Sequence, residues 1–181
     1  IGGYVFYSNN KHSCGTDRSA EYAIKFNPDI VINVQGDEPF IKKEILSEII
    51  DVFKKDKNKE IDLVSVMNDL KKDDFKDANK VKVLVNQCND AIMFSRSLKN
   101  LSSSLNSDHS IYKHVGVYGF RIECLKDFYK SEESTLEKRE NLEQLRYIEK
   151  GKTIRMVKTD YSIFGIDAID DLIQARKKIN D

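Results

Sequence analysis

Where the apolar run IVINV (Ile30 to Val34) ends, the chain places Gln35, Gly36, Asp37 and Glu38 in succession, followed by Pro39. A turn alone needs the glycine or the proline, whereas an amide and two carboxylates at a strand's end suit an oxygen-liganded cation. Asp37 could hold Mg²⁺, which one or two carboxylates and substrate phosphates commonly bind. The same acidic turn could instead favour the N-terminus of a following helix, and the local residues leave both readings open. Asp167, in GIDAIDDL ahead of the closing helix, is as ready to be an N-cap as to share a metal with Asp37.

Other stretches carry weaker signals. HSCGTDRSAEYA (His12 to Ala23) sets Gly15 and Thr16 at a helix start, where unpaired N–H groups can receive an anion or a base edge. Asp17 and Arg18 follow in the first turn, equally consistent with a solvated salt bridge. Arg96, at the end of a strand in FSRS, could grip a carboxylate with two parallel hydrogen bonds. YKHVGVYGFR presents His114, Tyr118 and Arg121 with glycines between them. In LEQLRYIEKG, Glu143 and Arg146 stand three apart, the spacing of a helix surface pair worth roughly 0.2–0.5 kcal/mol.

The elements that must position these groups follow from periodicity. YVFY (Tyr4 to Tyr7), IVINV, IDLVSVM and TIRMV read as strands, and VKVLVN and AIMFS as a hairpin around QCND. Helices are predicted after Thr16 as N-cap, over Ile41 to Phe53, over Cys124 to Lys150 with Gly151 ending it, and over Ala168 to Ile179. YKHVGVYGF reads as an extended segment broken by two glycines, and Asn100 to Ser110 as a polar loop. The alternation predicts a single α/β domain with a mainly parallel, Rossmann-like sheet flanked by helices and carrying one antiparallel hairpin. Ligands in such sheets bind beyond the carboxyl ends of the strands, where QGDEPF would lie.

Composition narrows the partners. At 181 residues, with 30 basic and 30 acidic side chains, the chain has neither a basic stripe for nucleic acid nor an apolar run for a membrane. Cys14, Cys88 and Cys124 form no CxxC pair, so a disulfide framework and a zinc site are not expected and a reducing cytoplasm is the simplest setting.

In order along the chain, HSCGTDR, VINVQGDEPFI, FSR, YKHVGVYGFR, LEQLRYIEKGKTI and GIDAIDDLIQAR resemble the successive motifs of the 3-deoxy-manno-octulosonate (Kdo) cytidylyltransferases, or CMP-Kdo synthetases. The resemblance spans essentially the whole chain and implies a nucleotide-diphospho-sugar transferase fold. It implies transfer of the cytidylyl group from CTP to the anomeric hydroxyl of Kdo, for lipopolysaccharide biosynthesis, by a cytoplasmic homodimer. On the matching positions, Asp37 and Asp167 would hold Mg²⁺ and act with Arg18 in catalysis. Gln35, Arg96, His114, Tyr118, Glu143 and Gln144 would line the sugar-acid pocket, with Cys14, Gly15 and Thr16 near the cytosine.

Two departures shape the expectation. Cys14 stands where the family often has serine, a near-isosteric exchange. The family's opening strand and its PARxxSxRxxxKxL triphosphate loop are not found before YVFY, so the chain reads as a C-terminal portion, expected to be impaired alone. The competing readings are a non-catalytic sugar-acid-binding or dimerisation module and a cytidylyltransferase for a related acid such as 8-amino-Kdo.

Overall fold

The computed structural model describes residues 3–102, 106, 108–161, 163–166 and 168–180. Helix α1 (Gly15–Ala23) leads to strand β1 (Ile30–Val34), helix α2 (Lys43–Lys55), strand β2 (Leu63–Asn68), a 3-10 turn (Lys72–Phe75) and the hairpin β3 (Lys82–Val85) and β4 (Ala91–Ser95). Helix α3 (Leu98–Ser102) precedes the long strand β5 (Ser110–Arg121). Helices α4 (Ile122–Tyr129), α5 (Thr135–Glu140) and α6 (Leu145–Glu149), strand β6 (Ile154–Lys158) and helix α7 (Ile169–Asn180) complete the chain.

The α/β class is as expected, and the strand directions refine it. Strand β5 takes the middle of the sheet and pairs antiparallel with β1, β2 and β3, so β2 with β6 is the one parallel ladder among the described strands. Strands β1, β2, β3 and β6 nevertheless run the same way, because each of the first three opposes β5 and β6 follows β2. The mainly parallel expectation therefore holds for direction and is corrected for pairing. Its cause is β5 itself, which runs through Gly116 and Gly119 as one strand of 12 residues instead of a broken segment.

Gly119 is needed for packing. A Cβ on it would lie 2.4 Å from Ile49 Cγ2 and 2.9 Å from Phe53 Cε2, so α2 rests directly on the backbone of β5. Helix α2 does so because Ile45, Ile49 and Phe53 recur every four residues and are buried against Val64, Val66, Val115 and Val117. Each such side chain contributes roughly 1.5–3 kcal/mol by leaving water. On the other face α1, α4 and α6 cover Leu63, Met67, Phe94, Tyr118 and Phe120 with Ala20, Leu125, Phe128, Leu145 and Tyr147.

Three local expectations are corrected. YVFY forms no strand: Tyr4, Val5 and Tyr7 are exposed, and a strand requires a ladder partner that the described residues do not supply there. Phe6 docks instead on Tyr22, with ring centroids 4.5 Å apart. The N-cap of α1 is Cys14, whose Sγ accepts from the Asp17 N–H at 3.4 Å, and Thr16 lies inside the helix. The helix expected over Cys124 to Lys150 is three short ones, because Ser134 and Glu137 form a capping box that starts α5 and Asn141, at φ 54°, ends it. Gly151, at φ 66°, follows α6 in the left-handed conformation as its position suggested. Of the polar loop, residues 103–105 and 107 lie outside the described set.

Candidate functional site

The turn after β1 reaches β5 at its glycine. Gln35 N–H donates to Gly116 O at 3.1 Å, and Gly116 N–H donates to Glu38 Oε1 at 3.3 Å. With no side chain at Gly116 the Gln35 stem lies against the strand, 3.3 Å from where a Cβ would be. A cleft of about 400 Å³ opens here, and Cys14, Gln35, Asp37, Glu38, Arg96, His114, Tyr118, Glu143 and Gln144 are among its lining residues. Residues distant in the chain thus meet where the sequence expected a ligand.

One side of this cleft is cross-braced. Glu143, in the turn before α6, accepts from the Thr16 N–H at 3.2 Å, the Thr16 hydroxyl at 2.7 Å and the Gln35 amide at 3.4 Å. A carboxylate therefore sits at the N-terminus of α1, where the helix dipole favours it. The α1 terminus is consequently not an open anion site at Thr16 and Asp17, since Glu143 and Cys14 already accept from their N–H groups. Burial, reinforced by the nearby Glu143 charge, pushes the Cys14 thiol well above its ordinary pKa. Gly15 makes an equally close approach within the site: a Cβ there would be 2.4 Å from Gln35 Oε1.

Behind Glu143 stands Arg146, which is 1% exposed and is no surface partner of Glu143. Its guanidinium donates to both Glu137 oxygens at 2.7 and 2.6 Å, to Asp17 at 3.4 Å and to the carbonyls of Phe128 and Ser131 at 3.2 and 3.3 Å. The Phe128 ring lies 3.7 Å from the guanidinium carbon. Although burial opposes the charge, the hydrogen bonds from Arg146 to Glu137 and the neighbouring carboxylates raise its pKa, so it stays ionised. Sequence spacing could not reveal this, because the partners are on α1 and α5.

The opposite side is looser. Asp37 is exposed at the mouth, and its carbonyl accepts from Ile166 N–H at 2.8 Å. Asp167 itself lies outside the described residues, and among those described no cluster of three or more metal-binding side chains occurs. Arg96 lines the cleft from the end of β4, but three of its donors already serve the carbonyls of Ala78, Glu140 and Asn141 at 3.1, 3.2 and 3.4 Å. It thereby caps the C-terminus of α5. Lys82, fully buried, holds the carbonyls of Asp77 and Arg96 at 2.6 and 3.1 Å, and burial depresses its pKa.

His114 and Tyr118 rise from β5 with ring centroids 5.5 Å apart. Burial lowers the His114 pKa to about 3, so the imidazole is neutral at physiological pH. Burial and the surrounding negative charges, Glu143 foremost, push the Tyr118 phenol well up. Arg18 is exposed on α1 and is not among the lining residues; Gly15 and Thr16 are not either, Thr16 acting on the cleft through Glu143. Lys80, Lys113, Gly116 and Gly165 line the cleft without having been singled out, since lone lysines and glycines carry no local signal.

Comparison with known proteins gives a consistent result. A model of the cytidylyltransferase family matches residues 1–154. The 3-deoxy-manno-octulosonate cytidylyltransferase of Flavobacterium johnsoniae is 42% identical over 181 residues, covering 99% of this chain and 74% of that protein. Its counterpart in Thermodesulfovibrio yellowstonii is 38% identical over 193 residues, covering 99% of this chain and 75% of that protein. A solved CMP:2-keto-3-deoxy-manno-octonic acid synthetase complexed with CTP superposes with a TM-score of 0.83 at 30% identity, over 99% of this chain and 73% of the other.

Proposed function

The chain belongs to the 3-deoxy-manno-octulosonate cytidylyltransferase family, and on that premise we propose that its cleft seats Kdo for attack on the α-phosphorus of CTP. The chain is a nucleotidyltransferase that joins the cytidylyl group of CTP to Kdo, giving CMP-Kdo and pyrophosphate. The anomeric oxygen of Kdo forms a bond to the α-phosphorus as the bond to the bridging oxygen of the β-phosphate breaks. The hydroxyl proton is released, and catalysis is mostly positioning and charge neutralisation. One observation carries the reading of the cleft: Gln35 and Asp37, His114 and Tyr118, and Glu143 and Gln144 line the same cavity from three distant segments.

The fixed residues have definite tasks in this reading. Gln35 and Glu143, locked to each other and to α1, present a preset hydrogen-bonding edge to the sugar hydroxyls. Arg96 retains N–H groups beyond the three used internally and adds positive charge for the sugar carboxylate. Asp37 and Asp167 would hold Mg²⁺. The fit is chemical: Asp37 is an exposed hard-oxygen donor at the mouth, and Mg²⁺ shared with substrate phosphates needs no all-protein cage. When bound, the ion would neutralise phosphate charge and lower the pKa of the attacking hydroxyl.

A homodimer working in the cytoplasm belongs to the same reading. Ile169 and Ile179 on α7 are 77% and 71% exposed, apolar surface of the kind a second copy would cover, and light scattering would measure the assembly. No helix among the described residues is long and apolar enough to cross a membrane.

Pyrophosphate release with CTP, Kdo and Mg²⁺ tests the function, with Asp37→Asn as the control variant. Release equal to CMP-Kdo formed, and lowered about 100-fold or more by the variant without a change in thermal stability, supports the assignment. Kdo binding by calorimetry with no turnover would favour the non-catalytic sugar-acid module instead.

A further inference from the structure

Ser65 is a fully buried residue in the middle of β2, flanked in sequence by Val64 and Val66. A buried hydroxyl is costly unless it is hydrogen-bonded, and Ser65 has two partners. Its Oγ lies 2.9 Å from the Val117 carbonyl and 2.9 Å from His114 Nε2. A carbonyl oxygen has no proton to give, so the single Ser65 proton goes to Val117. For both contacts to be hydrogen bonds, the one with His114 is made by a proton on Nε2.

A neutral imidazole carries one N–H, so protonation at Nε2 leaves Nδ1 with a bare lone pair. Burial keeps the ring neutral, and its pKa of about 3 excludes the doubly protonated form at physiological pH. Phe94 meets the ring edge-on at 5.2 Å and Tyr118 lies beside it at 5.5 Å, which fixes its plane. Nδ1 takes no hydrogen bond from a described residue, and His114 lines the cleft. A ligand group that reaches Nδ1 therefore meets an acceptor and not a donor.

We propose that Ser65 is a positioning residue that locks His114 in its Nε2–H tautomer, so that Nδ1 accepts a hydrogen bond from a hydroxyl or ammonium group of the sugar acid and does not receive its carboxylate. The lock depends on the fold alone, whereas the identity of the ligand group rests on the reading of the cleft as a sugar-acid site. A hydroxyl and an ammonium are both donors, so His114 accepts Kdo and an amino analogue alike, while the carboxylate must turn towards cationic side chains.

The experiment is long-range proton–nitrogen correlation NMR on protein labelled at histidine nitrogens, with His114→Gln used to assign the resonance. The free protein should show His114 protonated at Nε2, Ser65→Ala should shift the ring towards a tautomer mixture, and Ser65→Thr, which keeps the hydroxyl, should restore the Nε2–H form. In steady-state assays Ser65→Ala should raise KM for the sugar acid about tenfold, the scale of one hydrogen bond, with KM for CTP unchanged. An Nδ1–H tautomer in the wild-type protein overturns the lock, as does an unchanged tautomer in Ser65→Ala. A switched tautomer with an unchanged sugar KM overturns the ligand assignment alone. Failure of the enzymatic reading would leave the NMR result in the free protein intact, so the two failures are separable.

Discussion

Glu143 and Asp37 are carboxylates of the same cleft held in opposite ways. Glu143 accepts three hydrogen bonds from Thr16 and Gln35, while the Arg146 cluster of α1, α5 and α6 secures its turn from behind. Asp37 is anchored through its backbone carbonyl and leaves its side chain exposed. The difference is one of preorganisation. Donors already committed within the protein keep their geometry without a ligand and lose little entropy when one arrives. In the role proposed for Asp37 at a cation, its lone pairs have to be unspent, and exposure keeps them so.

The largest break in this contrast comes from the buried cation. Arg146→Met leaves Glu137 and Asp17 without their charge partner and should cost about 3–5 kcal/mol of stability, measured by urea unfolding. The double variant Glu137→Gln, Arg146→Met should recover part of that loss, since it removes one stranded charge. A cost below ~1 kcal/mol for the single variant would mean that Arg146 does not secure this side of the cleft.

A smaller effect, on function more than on stability, is expected from Gly15→Ala. The new Cβ would meet Gln35 Oε1 at 2.4 Å and push the amide away from Glu143. Because that amide is the end of a flexible side chain, stability should change by less than ~1 kcal/mol, while KM for the sugar rises about threefold to tenfold. An unchanged KM would show that the Gln35–Glu143 edge does not contact the sugar.

The smallest effect concerns a carboxylate away from the cleft. Burial would raise the Asp56 pKa, but the Arg121 hydrogen bond at 2.7 Å and the N–H groups of Ile61 and Glu60 hold it below its ordinary value. A folded pKa below the unfolded one gives stability that is present above about pH 4 and lost as pH falls through the lower folded value. Urea midpoints of the wild type should therefore decline on acidification more steeply than those of Asp56→Asn. Equal slopes would show that Asp56 has no part in the acid limb.

Much of the site was legible in the sequence because its groups lie in short local motifs. Gln35, Asp37, His114, Tyr118, Glu143 and Gln144 were named from their motifs, and all of them line the cleft. Arg96 was expected to face a carboxylate, and its engagement with three carbonyls was not readable because they belong to chain segments 18 to 45 residues away. The capping box of Ser134 and Glu137 starts a short helix inside a stretch where Leu136, Leu142 and Leu145 keep a helical period, so the period alone predicts one long helix. Lys82 shows another difficulty: nothing in VKVLV marks its lysine as interior, yet it is fully buried with two carbonyls receiving its ammonium group.

The sequence by itself determined the alternation of strands and helices, the apolar faces that make an α/β core and the side chains available for chemistry. These depend on neighbours a few residues apart, through period, capping and turn residues. Only the tertiary structure decided that β5 divides the strands running in one direction, that Arg146 is interior and that Ser65 sets the proton on His114. Each of those outcomes depends on which distant groups come within hydrogen-bonding reach. Such contacts have no signature in the spacing of residues along the chain.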